Sequence, residues 1–143
     1  MDKIEEMLSS GGAVVLPTET VYGLFCKALD EQAVSHVYDL KGRPREKALN
    51  LNVSSLEEIY QFSKHQPQYL KKLYQAFLPG PLTIILQANE QVPVWVNSGM
   101  KTIGFRVPSH PKTLDLIRKF GPLIGPSANL SGKSSGVHFQ QIM

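Results

Sequence analysis

Apolar residues recur along the chain at two alternating periods, and Pro and Gly separate the runs. Residues 2–9 carry a short amphipathic helical pattern. After Gly11-Gly12 the apolar run 13–16 predicts a buried strand ending at Pro17. Asp30 is placed to cap a helix whose apolar positions Ala33, Val34, Val37 and Tyr38 recur at helical spacing, with Gly42 and Pro44 to end it. Residues 48–53 predict a short strand, and Ser55 with Glu58 forms a capping box for a helix containing Leu56, Ile59 and Phe62.

Pro67 is suited to open another helix, with Leu70, Leu73, Tyr74 and Phe77 on one face. Pro79-Gly80-Pro81 closes it. Residues 82–86, 102–107 and 123–124 predict strands, and 111–120 a helix. Helices and strands in alternation, with no internal repeat or linker, predict one α/β domain with a mixed sheet.

Composition adds limits. A hydrophobic content of 42% and a charged content of 19% are those of a globular chain. No run approaches the roughly 20 apolar residues of a membrane span, and Asp2, Glu5 and Glu6 interrupt any signal-like N-terminus. The single cysteine, Cys26, excludes an intrachain disulfide and a cysteine metal cluster, so a cytoplasmic, membrane-free setting is expected. Net charge is only +3, but residues 41–47 read K-G-R-P-R-E-K, with four cations against one anion. That cluster suits a phosphate-bearing partner, nucleotide or nucleic acid; a solvated basic loop fits it about equally well.

Five segments are too polar to be folding signals alone: P-T-E-T-V-Y-G-L at 17–24, K-G-R-P at 41–44, F-L-P-G-P-L-T at 77–83, T-I-G-F-R-V-P-S-H at 102–110 and P-S-A-N-L-S-G at 126–132. Each bounds an apolar run, where ligands of α/β sheets collect. The first fits either a hydroxyl-lined polar site or a helix N-terminus capped by Thr18. A helix-end cation is stabilised by a few tenths to about 1 kcal/mol, which accounts for Lys41 but not for Arg43, Arg45 and Lys47 after it. Fixed cations of this kind suit charge developing on a triphosphate. Strand alternation puts Arg106 on the face opposite Phe105 and Val107, where it either meets solvent or takes a carboxylate bidentately. Ser127 and Asn129 fit a tight turn or a phosphate or carboxylate contact. Gly132-Lys133-Ser134 is not a P-loop, because Ser127 stands where that motif needs glycine. His36, His65, His110 and His138 show no metal-binding spacing.

Taken together and in order, these segments resemble the YrdC-like family from Gly12 to Gly132. The resemblance implies a twisted mixed β-sheet flanked by helices, with a basic concave cleft, in a single domain over 1–143 that lacks the family's usual C-terminal segment. It implies synthesis of threonylcarbamoyl-AMP and pyrophosphate from L-threonine, bicarbonate and ATP, with Mg2+ accompanying the ATP and no tightly bound protein-ligated metal. Threonylcarbamoyl transfer to tRNA by a partner complex would follow. The family's signature falls on Lys41, Arg43, Ser127 and Asn129 as catalytic residues. Arg43, Lys47, Thr102, Ser127, Asn129 and Ser135 match its ATP side, and Thr20, Asn52, Arg106 and Ser127 its threonine side. The chain departs from the family pattern at Asn52, where histidine is frequent, and at Ala48, Leu78 and Gly136-Val137. A double-stranded RNA or tRNA-binding module, or a binding domain without catalysis, is the alternative expectation.

Overall fold

The computed structural model describes residues 2–17, 22–41 and 50–125. Its elements run α1 (Lys3–Ser9), β1 (Val14–Pro17), β2 (Tyr22–Lys27), α2 (Glu31–Lys41), β3 (Leu51–Asn52), α3 (Leu56–Phe62), β4 (Ser63–Lys64), α4 (Leu70–Phe77), β5 (Gly80–Ala88), α5 (Val94–Asn97), β6 (Thr102–Val107), α6 (Pro111–Phe120) and β7 (Leu123–Ile124). The described strands form one mixed sheet in the order β1-β2-β7-β3-β6-β5-β4. β3 and β6 run parallel, and every other described pairing is antiparallel. No described helix is long and apolar enough to cross a membrane.

Local chemistry explains most boundaries. Asp2 and Asp30 accept from the Glu5 and Ala33 amides, starting α1 and α2. Ser55 Oγ accepts from the Glu58 amide, while Glu58 returns to the Ser54 amide at 2.8 Å, one residue earlier than a strict capping box. His110 caps α6, and Pro111 opens it. Pro17 is tolerated in β1 because β1 is an edge strand.

Some expectations change. The second half of the P-T-E-T-V-Y-G-L segment lies in strand β2, which begins at Tyr22, and Thr18 lies outside the described residues. Val15 is 54% exposed, because β1 lies at the sheet edge. Helix α4 begins at Leu70, three residues after Pro67, and its Phe77 points outward at 57% exposure.

Alternation divides the sheet into two faces. Cys26, Ile124, Leu51, Phe105 and Ile84 occupy one face and pack with Val34 and Val37 of α2, Ile59 of α3, Leu70 of α4 and Val96 of α5. On the other face Val14, Leu16, Phe25 and Leu123 pack under Leu8 of α1 and Leu116 and Ile117 of α6. Each fully buried aliphatic side chain contributes about 1.5–3 kcal/mol. Thr113, at the start of α6, donates a 2.6 Å hydrogen bond to the Pro17 carbonyl and so ties that helix to the end of β1. At the far end, Lys119 pairs with Glu5 of α1.

Candidate active site

The second core stops at Leu123. Asn52 lies directly opposite Leu123 on β3, and Arg106 lies beside Asn52 on β6. From there across β3, β6 and β5, the sheet face that was apolar under α1 and α6 becomes polar. It carries Asn50, Asn52, Thr102, Arg106 and Thr83, with Gly104 in the middle. Phe105 and Val107 are buried on the opposite side, as the alternation about Arg106 predicts.

Asn52 is 3% exposed, and its amide nitrogen donates to two backbone carbonyls, those of Asn50 and Leu123, both at 3.3 Å. Two carbonyl partners fix which end of the amide is nitrogen. Its Oδ1 is then the atom left to meet a ligand, and it can only accept. An acceptor suits an ammonium or a hydroxyl. A carboxylate would need the neighbouring guanidinium of Arg106, whose planar fork matches it. Thr102 shares this face two steps down β6, exposed at the strand's start, and its carbonyl accepts from Asn97 at 3.0 Å.

Strand direction brings further segments to the same region. β2 begins at Tyr22, paired with Pro17, so both described flanks of the segment holding Thr20 lie at one end of the sheet. β7 leaves at Gly125, where an added Cβ would strike the Leu24 carbonyl; only glycine permits that approach. The chain enters β3 at Asn50, one residue before Leu51 pairs with Ile124 and Phe105, at this same end. Pro17 and Tyr22, Asn50 and Gly125, described flanks of the segments carrying Thr20, Arg43 and Ser127, therefore lie toward the end of the sheet where β6 starts. Lys41 is the last residue of α2. Thr20, Arg43, Lys47, Ser127, Asn129 and Ser135 lie outside the described residues.

The structure thus brings Asn52, Arg106 and Thr102 onto one face. Asn50, Gly104 and Thr83 share it; the last two belong to segments singled out in the sequence, but none of the three has an individual site role there. Alternation from Arg106 identifies Gly104, but its neighbours depend on the register of distant strands. A cleft of about 440 Å³ runs along β5 between His65, Tyr69, Leu70 and Leu73 and the strand's own Thr83 and Ile85, and none of Asn52, Arg106 and Thr102 lines it. Among the described residues no group of three His, Cys, Asp or Glu is disposed to hold a metal ion. Displaced titrations lie elsewhere: burial pushes the Cys26 thiol up to about 12, and burial together with Glu57 and Glu58 raises Tyr74.

Comparison with known proteins bears on the fold. Threonylcarbamoyl-AMP synthase of Pyrococcus abyssi is 41% identical over 129 residues, covering 90% of this chain and 38% of that protein. The synthase of Hydrogenovibrio crunogenus is 36% identical over 90% of this chain and 71% of its own length. The crystal structure of P. abyssi Sua5 complexed with L-threonine superimposes with a TM-score of 0.86 at 40% identity, over 92% of this chain and 39% of that one. The chain therefore spans well under half the length of the Pyrococcus relative it matches. A family model described as "Telomere recombination", that of Sua5, YciO and YrdC, matches residues 6–143, and with a sheet that superimposes so closely the chain belongs to the Sua5/YciO/YrdC family.

Proposed function

We propose that residues 1–143 act as one domain that forms threonylcarbamoyl-AMP and pyrophosphate from L-threonine, bicarbonate and ATP. The observation that carries this reading is the pairing of Arg106 with an acceptor-only Asn52 on adjacent strands, in a fold that superimposes on a protein crystallised with L-threonine. Arg106 takes the α-carboxylate in two parallel hydrogen bonds, and Asn52 Oδ1 accepts from the bound amino acid, with Thr20 and Ser127 completing the threonine side. Lys41 and Arg43 neutralise charge on the triphosphate, with Ser127 and Asn129 holding the reacting groups. Lys47, Thr102 and Ser135 line the nucleotide.

The threonine nitrogen attacks the bicarbonate carbon and water leaves, giving a carbamate. A carbamate oxygen then attacks the α-phosphorus, and pyrophosphate departs with the electron pair of the broken P–O bond. The protein's contribution is alignment and charge neutralisation, without a covalent enzyme intermediate. Magnesium enters with the triphosphate as part of the substrate. A tRNA and a transferring partner complex receive the product in the cytoplasm.

The test is pyrophosphate release from ATP with magnesium and bicarbonate, comparing L-threonine, L-serine and no amino acid. Threonine-dependent release that disappears in Lys41→Ala and Arg43→Ala is expected. A folded protein that binds threonine but releases no pyrophosphate would instead be a binding domain.

A further inference from the structure

Directly below the Arg106–Asn52 pair on this face, β6 carries Gly104, level with Asn50 on β3 and with Ile85 on β5. The missing side chain lets the neighbours close in. A Cβ at Gly104 would collide with Asn50 Oδ1 and would lie 3.2 Å from the Thr83 methyl. Asn50 and Thr83, from the two flanking strands, therefore meet over a bare stretch of β6. The Asn50 amide makes no side-chain hydrogen bond among the described residues, although the amide of Asn52 beside it is held by two carbonyls. Thr83 Oγ1 is buried and likewise has no hydrogen-bond partner. Ile85 completes the row with an apolar side chain left 65% exposed.

We propose that Asn50 and Thr83, meeting over Gly104, form the pocket that reads the side chain of the amino-acid substrate, with Gly104 as the positioning residue that lets Asn50 lie there. This rests on the synthase reading above. Two residues along a strand is a displacement of about 7 Å, the scale of an amino acid from carboxylate to side-chain tip. With the charged end on Arg106 and Asn52, the surface formed by Asn50 in the next row and by Thr83, which precedes the Ile84–Phe105 pair and so stands level with Arg106, offers an amide and a hydroxyl for a β-hydroxyl. It also offers a methyl and an isoleucine for a β-methyl. Neither element carries charge, as a neutral hydroxyethyl side chain requires. A site built to bond a substrate hydroxyl rejects the analogue that lacks it, because its own polar groups are then left unmatched.

The experiment measures calorimetric affinity for L-threonine, L-valine and L-serine in the full chain. Asn50→Ala and Thr83→Val are each expected to reduce the preference for threonine over valine by about tenfold, the scale of one lost hydrogen bond, with the fold intact by circular dichroism. Asn50→Asp, the same size but acceptor-only, serves if the alanine variant unfolds, and it too should lower the preference. Gly104→Ala should reproduce the loss by displacing Asn50 and add nothing in the Asn50→Ala background. A threonine-to-valine ratio unchanged in the Asn50 and Thr83 variants overturns the assignment. A Gly104→Ala loss undiminished in the absence of Asn50 overturns the positioning role. Wild-type protein that binds no threonine defeats the synthase reading, and the pocket with it.

Discussion

Asn52 and Arg106 stand side by side on the one parallel strand pair among the described residues, and the amide of Val53 bonds the Arg106 carbonyl at 2.9 Å. A cation and a fixed acceptor are thereby held at constant spacing by backbone hydrogen bonds rather than by flexible loops.

That spacing makes the planar fork at position 106 irreplaceable by a point charge. Arg106→Lys keeps the charge but loses the paired bonds, and threonine affinity should fall about tenfold or more, with Arg106→Ala lower still. Calorimetric titration checks this, and thermal denaturation of the same samples separates binding from folding. Wild-type affinity in the lysine variant would remove the bidentate role.

Asn52 also has a structural duty. Asn52→Leu strips the donor from the Leu123 and Asn50 carbonyls, and the more deeply placed Leu123 carbonyl should make this cost about 1–3 kcal/mol. Urea denaturation with an unchanged m-value is the expected signature.

At the other end of the helix layer, Thr113→Val removes the hydroxyl that holds the Pro17 carbonyl while keeping the side chain's size. A loss of about 1–2 kcal/mol is expected, largely restored by Thr113→Ser, as read from chemical denaturation midpoints. An unaltered midpoint for the valine variant would show that the bond contributes nothing net.

Cys26 gives a pH dependence of definite sign. Burial raises its thiol from 9.0 to about 12, so the unfolded chain loses this proton first as pH rises. The stability it contributes is complete below pH 9 and declines between 9 and about 12, at up to about 1.4 kcal/mol per pH unit. Denaturation midpoints compared between wild type and Cys26→Ala should diverge in slope only above that lower value, and the native thiol should resist alkylating reagents.

Much of this architecture is readable residue by residue. Asp30 and Ser55 announce their helices because capping is local chemistry, and Arg106 between Phe105 and Val107 declares its face from three residues. β2 escapes such a reading, because its identity rests on pairing with β1 and with Ile124, nearly a hundred residues away. β4 has two residues and exists through its partners Ala88 and Gln87, while the single-turn α5, V-W-V-N, has β-branched residues that suit a strand equally well. At the site, Asn52 and Arg106 are visible as polar residues in apolar runs. The meeting of Asn50 with Thr83 is not, because it depends on the register of three strands and on an absent side chain between them.

Leu123 belongs to two structures at once: its side chain is sealed beneath α6, and its carbonyl grips Asn52. The helix layer and the wall of the polar face therefore share a hinge pin one residue wide. Repacking α6 around Leu116 or Ile117, on the apolar part of the same sheet face, would tilt that pin and turn the Asn52 acceptor with it. Substitutions in what looks like remote hydrophobic filling should thus register as altered ligand recognition before they register as unfolding.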